Sequence, residues 1–167
     1  MKILVNDTNI FLDLQSIGLL DKIFELPFEI HTVDFVVAEI ITPRYADEIA
    51  ELINEGKLVV RAFTPSEILE IVTEQANAPG NLSIPDCSIC YYAKSGAYTL
   101  ITGDRQLRKY AEAQNIEVHG ILFILDKMIE HNVINKRVGA DKLKELLTIN
   151  IRLPKLEIDR RISAWSR

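Results

Sequence analysis

Short runs of Val, Ile and Leu alternate along this chain with longer segments in which apolar residues recur every three or four positions. The short runs lack the polar and apolar alternation of a strand with one wet face, so they predict strands that are buried on both faces. The longer segments predict helices. Strands that alternate with helices in this way predict an α/β domain, in which right-handed crossovers build a parallel sheet of about five strands between two layers of helices.

Turn residues and helix start signals give the boundaries of these elements. We predict strands at residues 2–5, 28–32, 57–63, 97–102 and 116–119. We predict helices at residues 10–26 with an interruption near Gly18, and at 33–41, 45–54, 64–77, 83–96, 104–114, 120–131 and 141–148. The strongest start signals are capping boxes that begin at Thr64 and Ser83, each with a proline in the first helical turn.

Length, charge and cysteine content predict one soluble domain. With 167 residues the chain can bury its own core, and we assign residues 1–150 to the domain and residues 151–167 to a basic C-terminal tail that is not a separate domain. The tail carries +3 of the total net charge of -5, which leaves -8 for the rest. No apolar run approaches the ~18 residues of a membrane span, and we see no signal peptide and no disulfide framework. We therefore expect a cytoplasmic protein that does not bind membranes.

Four acidic residues are predicted to approach one edge of the sheet. Asp7 and Asp104 each follow a strand directly, and the carboxyl ends of parallel strands share one edge. A helix that leads into a parallel strand begins at that same edge, which places Asp86 beside them. Glu39 lies about six residues into its predicted helix, or about 9 Å along the axis, so it reaches the edge only if that helix leans across it.

These carboxylates have an ordinary interpretation and a chemical one. Taken singly, each is a common helix cap or first-turn residue. Together they would repel one another, since two unit charges ~5 Å apart repel by ~3 kcal/mol at an effective dielectric constant of about 20. A cluster of this kind takes up protons or binds divalent cations, and an all-oxygen ligand set suits Mg²⁺ or Mn²⁺ rather than zinc.

Four short motifs around these residues resemble the acidic motifs of PIN-domain nucleases. They are Asp7-Thr8-Asn9, Val36-Val37-Ala38-Glu39-Ile40, Ile84-Pro85-Asp86-Cys87-Ser88-Ile89 and Thr102-Gly103-Asp104-Arg105. The resemblance covers roughly residues 1–135. The later step Gly120-Ile121-Leu122 is similar to a bacterial and archaeal, VapC-like branch that is associated with toxin-antitoxin pairs. The resemblance implies a three-layer α/β/α fold with the strand order 3-2-1-4-5.

The resemblance also implies an activity and a set of site residues. The implied activity is metal-dependent hydrolysis of phosphodiester bonds in single-stranded RNA, with an antitoxin and a second copy of the chain as expected partners. The catalytic residues, which would also hold one or two Mg²⁺ or Mn²⁺ ions, are Asp7, Glu39, Asp86 and Asp104. Asn9 and Thr102 would orient these carboxylates. From their position after Asp104, we expect Arg105, Arg108 and Lys109 to bind substrate phosphates.

Two other functions stay open from the sequence. A PIN-like domain with little catalysis would serve as a binding or regulatory module. A phosphoryl-receiver domain also has acidic residues after its first strand, but it needs an acceptor aspartate after the third, where this chain has Val60-Arg61-Ala62-Phe63. Cys87 and Cys90 have the spacing of a redox motif, yet without a second pair or a nearby histidine we expect them to pack in a helix core.

Overall fold

A computed structural model describes residues 1–167, which form five strands and nine α-helices. The strands are β1 (Lys2–Asn6), β2 (Phe28–Val33), β3 (Leu58–Arg61), β4 (Thr99–Ile101) and β5 (Val118–His119). The helices are α1 (Thr8–Ser16), α2 (Asp34–Val37), α3 (Pro43–Asn54), α4 (Pro65–Asn77), α5 (Ile84–Ser95), α6 (Arg105–Ala113), α7 (Ile121–Glu130), α8 (Lys136–Ile149) and α9 (Lys155–Trp165), with a 3₁₀ helix at Asp21–Glu25. None of the helices combines the length and the apolar character needed to cross a membrane.

The strands form one parallel sheet in the order β3-β2-β1-β4-β5, which confirms the predicted fold class and strand order. β1 lies at the centre of the sheet, between β2 and β4. Its last residue, Asn6, pairs with Ile101, the last residue of β4. The residues that follow these two strands are therefore neighbours at the carboxyl edge, where the Asp7 N–H donates to the Ile101 carbonyl at 3.0 Å.

The sheet separates two hydrophobic cores, as a three-layer fold requires. Leu4 of β1 packs in the core with α1, α3, α7 and α8, whereas Val5 packs in the opposite core with α4, α5 and α6. Both side chains are fully buried, because successive residues of a strand point to opposite faces. This burial explains why the strand lacks alternation in its sequence. Cys87 and Cys90 are free and buried in the second core, as predicted.

Three predicted helices differ from those observed. The predicted helix at 33–41 is the single turn α2, since a run of β-branched residues leads to Thr42, and the following proline disfavours helical backbone at that residue. The segment 10–26 divides into α1 and the 3₁₀ helix. α8 begins five residues before the predicted start at 141, because Asn135 caps it by accepting from the Val138 N–H at 2.9 Å.

The residues that we predicted to be a basic tail contain helix α9, which packs on the domain. Ile158 is fully buried in the first core. The Trp165 ring lies 3.2 Å from the point where a Cβ on Gly139 of α8 would stand, so the glycine permits close packing there. Arg161 donates two hydrogen bonds to Asp126 of α7, at 2.9 and 2.8 Å. These contacts fix α9 beside α7 and α8.

Candidate active site

Asp7 is the central residue of the carboxyl edge. It follows β1 and caps α1, with Oδ1 accepting from the Thr8 N–H at 2.8 Å. Its Oδ2 accepts from Asn9 Nδ2 at 3.1 Å and from the Thr102 hydroxyl at 2.8 Å. Only 7% of the residue is exposed. Three donors from three residues therefore hold this buried carboxylate in one orientation.

Burial raises the pKa of Asp7 to about 6 from an ordinary value of 3.8. Hydrogen bonds from Thr102 and the Thr8 N–H oppose this rise, while the negative charges of Asp86 and Glu39 add to it. The two neighbouring carboxylates are thus close enough to repel Asp7. At neutral pH the edge carries a buried negative charge that the hydrogen bonds only partly compensate.

Asp86 reaches this edge because α5 leads into β4 and so begins where β4 ends. It stands in the first turn of α5 and completes the predicted capping box with Ser83. The Ser83 N–H donates to Asp86 Oδ2 at 2.9 Å, and the Asp86 N–H donates to Ser83 Oγ at 3.1 Å. The residue is half-buried, and its Oδ1 makes no hydrogen bond. One oxygen of Asp86 therefore remains available to a ligand.

Glu39 arrives at the edge by a route that differs from the prediction. Because α2 ends at Val37, Glu39 lies in the turn beyond that helix rather than deep inside it. Its Oε2 accepts from the Thr8 hydroxyl at 3.0 Å, and the residue is exposed. The structure thus brings Glu39 next to the residue that follows Asp7.

Asp104 is connected to Asp7 through Thr102. Asp104 caps α6, with Oδ1 accepting from the Leu107 N–H at 2.8 Å. The Thr102 hydroxyl accepts from the Asp104 N–H at 3.1 Å while it donates to Asp7. Asn9 accepts from the Gly103 N–H at 3.0 Å, which ties α1 to the same loop. Thr102 and Asn9 therefore hold together the two strand ends that carry these aspartates.

The four carboxylates have the chemistry to bind a divalent cation, but in this structure they are too far apart to coordinate one together. They offer only oxygen ligands, which suit Mg²⁺ or Mn²⁺. No three side chains of His, Cys, Asp or Glu lie close enough together to hold a metal ion. Asp86 and Asp104 each direct one oxygen to the start of their own helix. Asp7, Glu39, Asp86 and Asp104 are therefore the residues that would hold the ion, although they are not gathered around one point in this structure.

Two of the three predicted phosphate-binding residues line a cavity of about 540 Å³ that lies beside the acidic edge. Arg105 and Arg108 of α6 belong to its lining, together with Thr102. Lys109 is exposed elsewhere on α6 and does not line the cavity. Arg152 does line it, although sequence reasoning had not singled out this residue. No local signal identified Arg152, because only the packing of α8 and α9 brings it beside α6.

Fold and site together define an α/β protein with an acidic centre at the carboxyl edge of its parallel sheet. A family model described as PIN domain matches residues 3–167. Since the match spans nearly the whole chain, the protein belongs to the PIN-domain family. None of the curated proteins matches the chain.

Solved structures with a similar fold come from archaea and bacteria. A PilT N-terminus domain protein from Sulfolobus solfataricus P2 is 16% identical and has a TM-score of 0.48, covering 77% of this chain and 95% of its own. The protein PAE2754 from Pyrobaculum aerophilum is 18% identical with a TM-score of 0.49, covering 78% and 98%. A chain of the FitAcB structure from Neisseria gonorrhoeae is 15% identical with a TM-score of 0.45, covering 71% and 98%.

Proposed function

We propose that this protein is an Mg²⁺- or Mn²⁺-dependent endoribonuclease that hydrolyses phosphodiester bonds of single-stranded RNA. The observation that carries the proposal is the state of Asp7. This carboxylate is buried, oriented by three donors and placed beside the charges of Asp86 and Glu39, with no basic side chain among the groups that shift its pKa. A site that concentrates uncompensated carboxylate charge at a sheet edge is suited to bind a divalent cation.

In this proposal the four acidic residues hold the cation and the neighbouring polar residues keep them in place. When bound, a divalent cation supplies a water of lowered pKa and stabilises the charge that develops on the phosphate. Asp7, Glu39, Asp86 and Asp104 are the residues that would hold it. The Thr102 hydroxyl and the Asn9 amide keep Asp7 fixed as charge accumulates at the site.

The proposed biological role is that of the toxin in a toxin-antitoxin pair, acting in the cytoplasm as a homodimer that an antitoxin protein inhibits. Membership in the PIN-domain family supports this role, since its members are typically nucleases, as does the Gly120-Ile121-Leu122 step at the start of α7. A neighbouring gene for a small basic DNA-binding protein would add independent support.

A second candidate function is a PIN-like binding or regulatory module with little catalysis. One observation favours it, namely that no three potential metal ligands stand at coordinating distances. Titration with Mn²⁺ in a calorimeter separates the two candidates. Binding of Mn²⁺ that Asp7→Asn abolishes supports the nuclease, and absence of any binding by the unmodified chain supports the module.

The decisive test of the nuclease is cleavage of a mixed RNA pool. We expect the unmodified chain to cleave RNA with Mn²⁺ and to stop when EDTA is added. Asp7→Asn and Asp104→Asn should each lower the cleavage rate by more than ~10–100-fold, which is the loss typical of mutating a residue that only orients a metal ligand. Cleavage at equal rates by the unmodified chain and by Asp7→Asn would refute the proposed function.

A further inference from the structure

A groove lies beside the acidic centre, between α6, the start of α7 and residues 150–154, which join α8 to α9. Its volume is about 540 Å³. Thr102 and Gly103 belong to its lining, and these are the residues that donate hydrogen bonds to Asp7 and Asn9. The groove therefore adjoins the acidic centre, although none of the four carboxylates lines it. We refer to it as the arginine groove.

The lining of the arginine groove has a positive charge on a chain that is negative overall. Four arginines face it from three separate segments, and two acidic residues accompany them, so the net charge of the lining is +2 whereas the chain carries -5. The arginines are Arg105, Arg108, Arg152 and Arg161, and the acidic residues are Asp126 and Glu157. A local positive field of this kind favours an anionic ligand.

Three of these arginines are free to bind such a ligand. Arg161 is already neutralised by its two hydrogen bonds to Asp126, so it holds one wall of the groove in place. Arg105 and Arg152 form no ion pair within 4.0 Å. Arg108 has only a long contact of 3.8 Å with the exposed Glu112. An exposed pair at this distance contributes little, so the guanidinium remains available.

The position of Arg108 explains the glycine that precedes α7. Gly120 has φ -118 and ψ -167, a backbone conformation that any residue adopts. A Cβ at this position would stand 3.2 Å from Arg108 Nη2 and 3.5 Å from the Thr102 carbonyl oxygen. The glycine therefore makes space for the guanidinium, which lies against the start of α7, where no side chain caps the helix. The helix end adds its partial positive charge to that of Arg108.

We infer that the arginine groove binds the phosphates of the substrate strand on one side of the scissile bond, and that Arg152 is one of the contacts. This inference rests on the proposed function, which places the scissile phosphate at Asp7. Guanidinium groups bind phosphate oxygens in a two-pronged geometry, and aromatic surfaces stack bases of single strands. The groove supplies both, since His119 and Phe123 line it as a stacked pair with ring centroids 4.2 Å apart.

A nucleic acid strand fits these observations better than an acidic peptide. The groove combines arginines with the aromatic pair His119 and Phe123, and a nucleic acid strand supplies phosphates for the former and planar bases for the latter, whereas an acidic peptide supplies only carboxylates. An RNA strand has charges along its whole length, so its phosphates occupy the groove while another lies at the proposed cation site. Arg152 comes from the connection before α9, so the C-terminal helix takes part in this surface by holding that connection in place.

The test compares two arginine variants that remove the same charge. Arg152→Ala removes a groove residue, whereas Arg160→Ala removes an exposed arginine of α9 that does not line the groove. Binding of a short, fluorescein-labelled single-stranded RNA is measured by anisotropy in EDTA over a series of salt concentrations. We expect Arg152→Ala to weaken binding about tenfold, as for the loss of a charged hydrogen bond. The slope of log affinity against log salt should fall by about 0.7.

Both variants should remain folded, and their thermal unfolding is measured as a control. The Arg152 side chain makes no hydrogen bond. The backbone N–H of this residue donates to Asn150 Oδ1 at 3.1 Å, and alanine can make the same hydrogen bond. Equal RNA affinity for Arg152→Ala and Arg160→Ala would overturn the inference. The inference would also be overturned if Arg152→Ala lost more affinity for a polyglutamate peptide than for RNA, since the groove would then be a protein-docking surface.

The outcomes for the groove and for the nuclease are separate. The binding measurement contains no metal ion and reports only on the arginines. The cleavage measurement with Mn²⁺ reports on the acidic centre. If the unmodified chain cleaves RNA but Arg152→Ala binds RNA with normal affinity, the proposed role of the arginine groove is refuted and the proposed nuclease activity stands. If the unmodified chain does not cleave RNA, the proposed nuclease activity is refuted, together with the assignment of the bound strand as its substrate.

Discussion

Replacing Asp7 with asparagine should make the metal-free protein more stable at alkaline pH and less stable at acid pH. The pKa of this carboxyl rises from 3.8 to about 6 on folding, chiefly through burial. Each pKa unit corresponds to about 1.4 kcal/mol, so ionised Asp7 costs the folded protein about 3 kcal/mol. The folded chain binds the proton more tightly than the unfolded chain. This cost is therefore absent below pH 3.8, grows as the pH rises and is complete above pH 6.

Asparagine removes this cost but also loses part of the hydrogen bonding. The amide oxygen of an asparagine can take the position of Oδ2 and accept from Asn9 and Thr102, but its amide nitrogen then takes the position of Oδ1 and cannot accept from the Thr8 N–H. Losing one such bond costs about 1 kcal/mol. The free energy of unfolding of Asp7→Asn should therefore exceed that of the unmodified chain by about 2 kcal/mol at pH 8. Near pH 3 the free energy of unfolding of Asp7→Asn should be lower than that of the unmodified chain by about 1 kcal/mol.

The measurement is urea unfolding in EDTA at a series of pH values. Asp141→Asn is the matched control, since this aspartate is exposed on α8 and its substitution should change the free energy of unfolding by less than about 0.5 kcal/mol. Adding Mg²⁺ or Mn²⁺ at pH 8 should stabilise the unmodified chain and not Asp7→Asn. A difference between the unmodified chain and Asp7→Asn that does not change with pH would refute the argument from burial.

Three further predictions concern the residues around and beyond this carboxylate. Thr102→Val, which removes the hydroxyl between the two strand ends, should lower RNA cleavage ~10–100-fold, while Thr102→Ser should retain it. Burial raises the pKa of the Cys87 thiol to about 11 and that of Cys90 further, so neither should react with Ellman's reagent until urea unfolds the chain. Ile158→Ala should lower the free energy of unfolding by ~2–4 kcal/mol, because its side chain fills the core under α9. Leu156→Ala, on the exposed side of that helix, should change it by less than about 0.5 kcal/mol.

The elements that the sequence predicted well have local causes. The capping boxes at Thr64 and Ser83 form as predicted, since each depends on residues three positions apart in the chain. The strands carry short runs of β-branched and apolar residues, and their alternation with helices requires a parallel sheet. The approach of Asp7 and Asp86 to one edge follows from that topology alone, because it depends on strand direction and not on side-chain detail.

The elements that the sequence mispredicted depend on competing local signals or on distant contacts. The helix at 33–41 has helical periodicity, but its β-branched residues and the proline at 43 limit it to one turn. This shorter helix is what leaves Glu39 beside Thr8. The last predicted helix starts at 141, yet in the structure α8 begins at Lys136, and Gly139 lies within it and admits the ring of Trp165.

The sequence by itself determined the layer architecture and the edge at which the acidic residues meet, because both follow from the alternation of strands and helices along the chain. The strand order came from the resemblance carried by the acidic motifs. Only the tertiary structure decided how the carboxylates are oriented, because the donors to Asp7 include Thr102 from another strand end. It also decided that the C-terminal residues form a docked helix and that Arg152 lines the arginine groove. Contacts of this kind join residues far apart in the chain, and no local pattern encodes them.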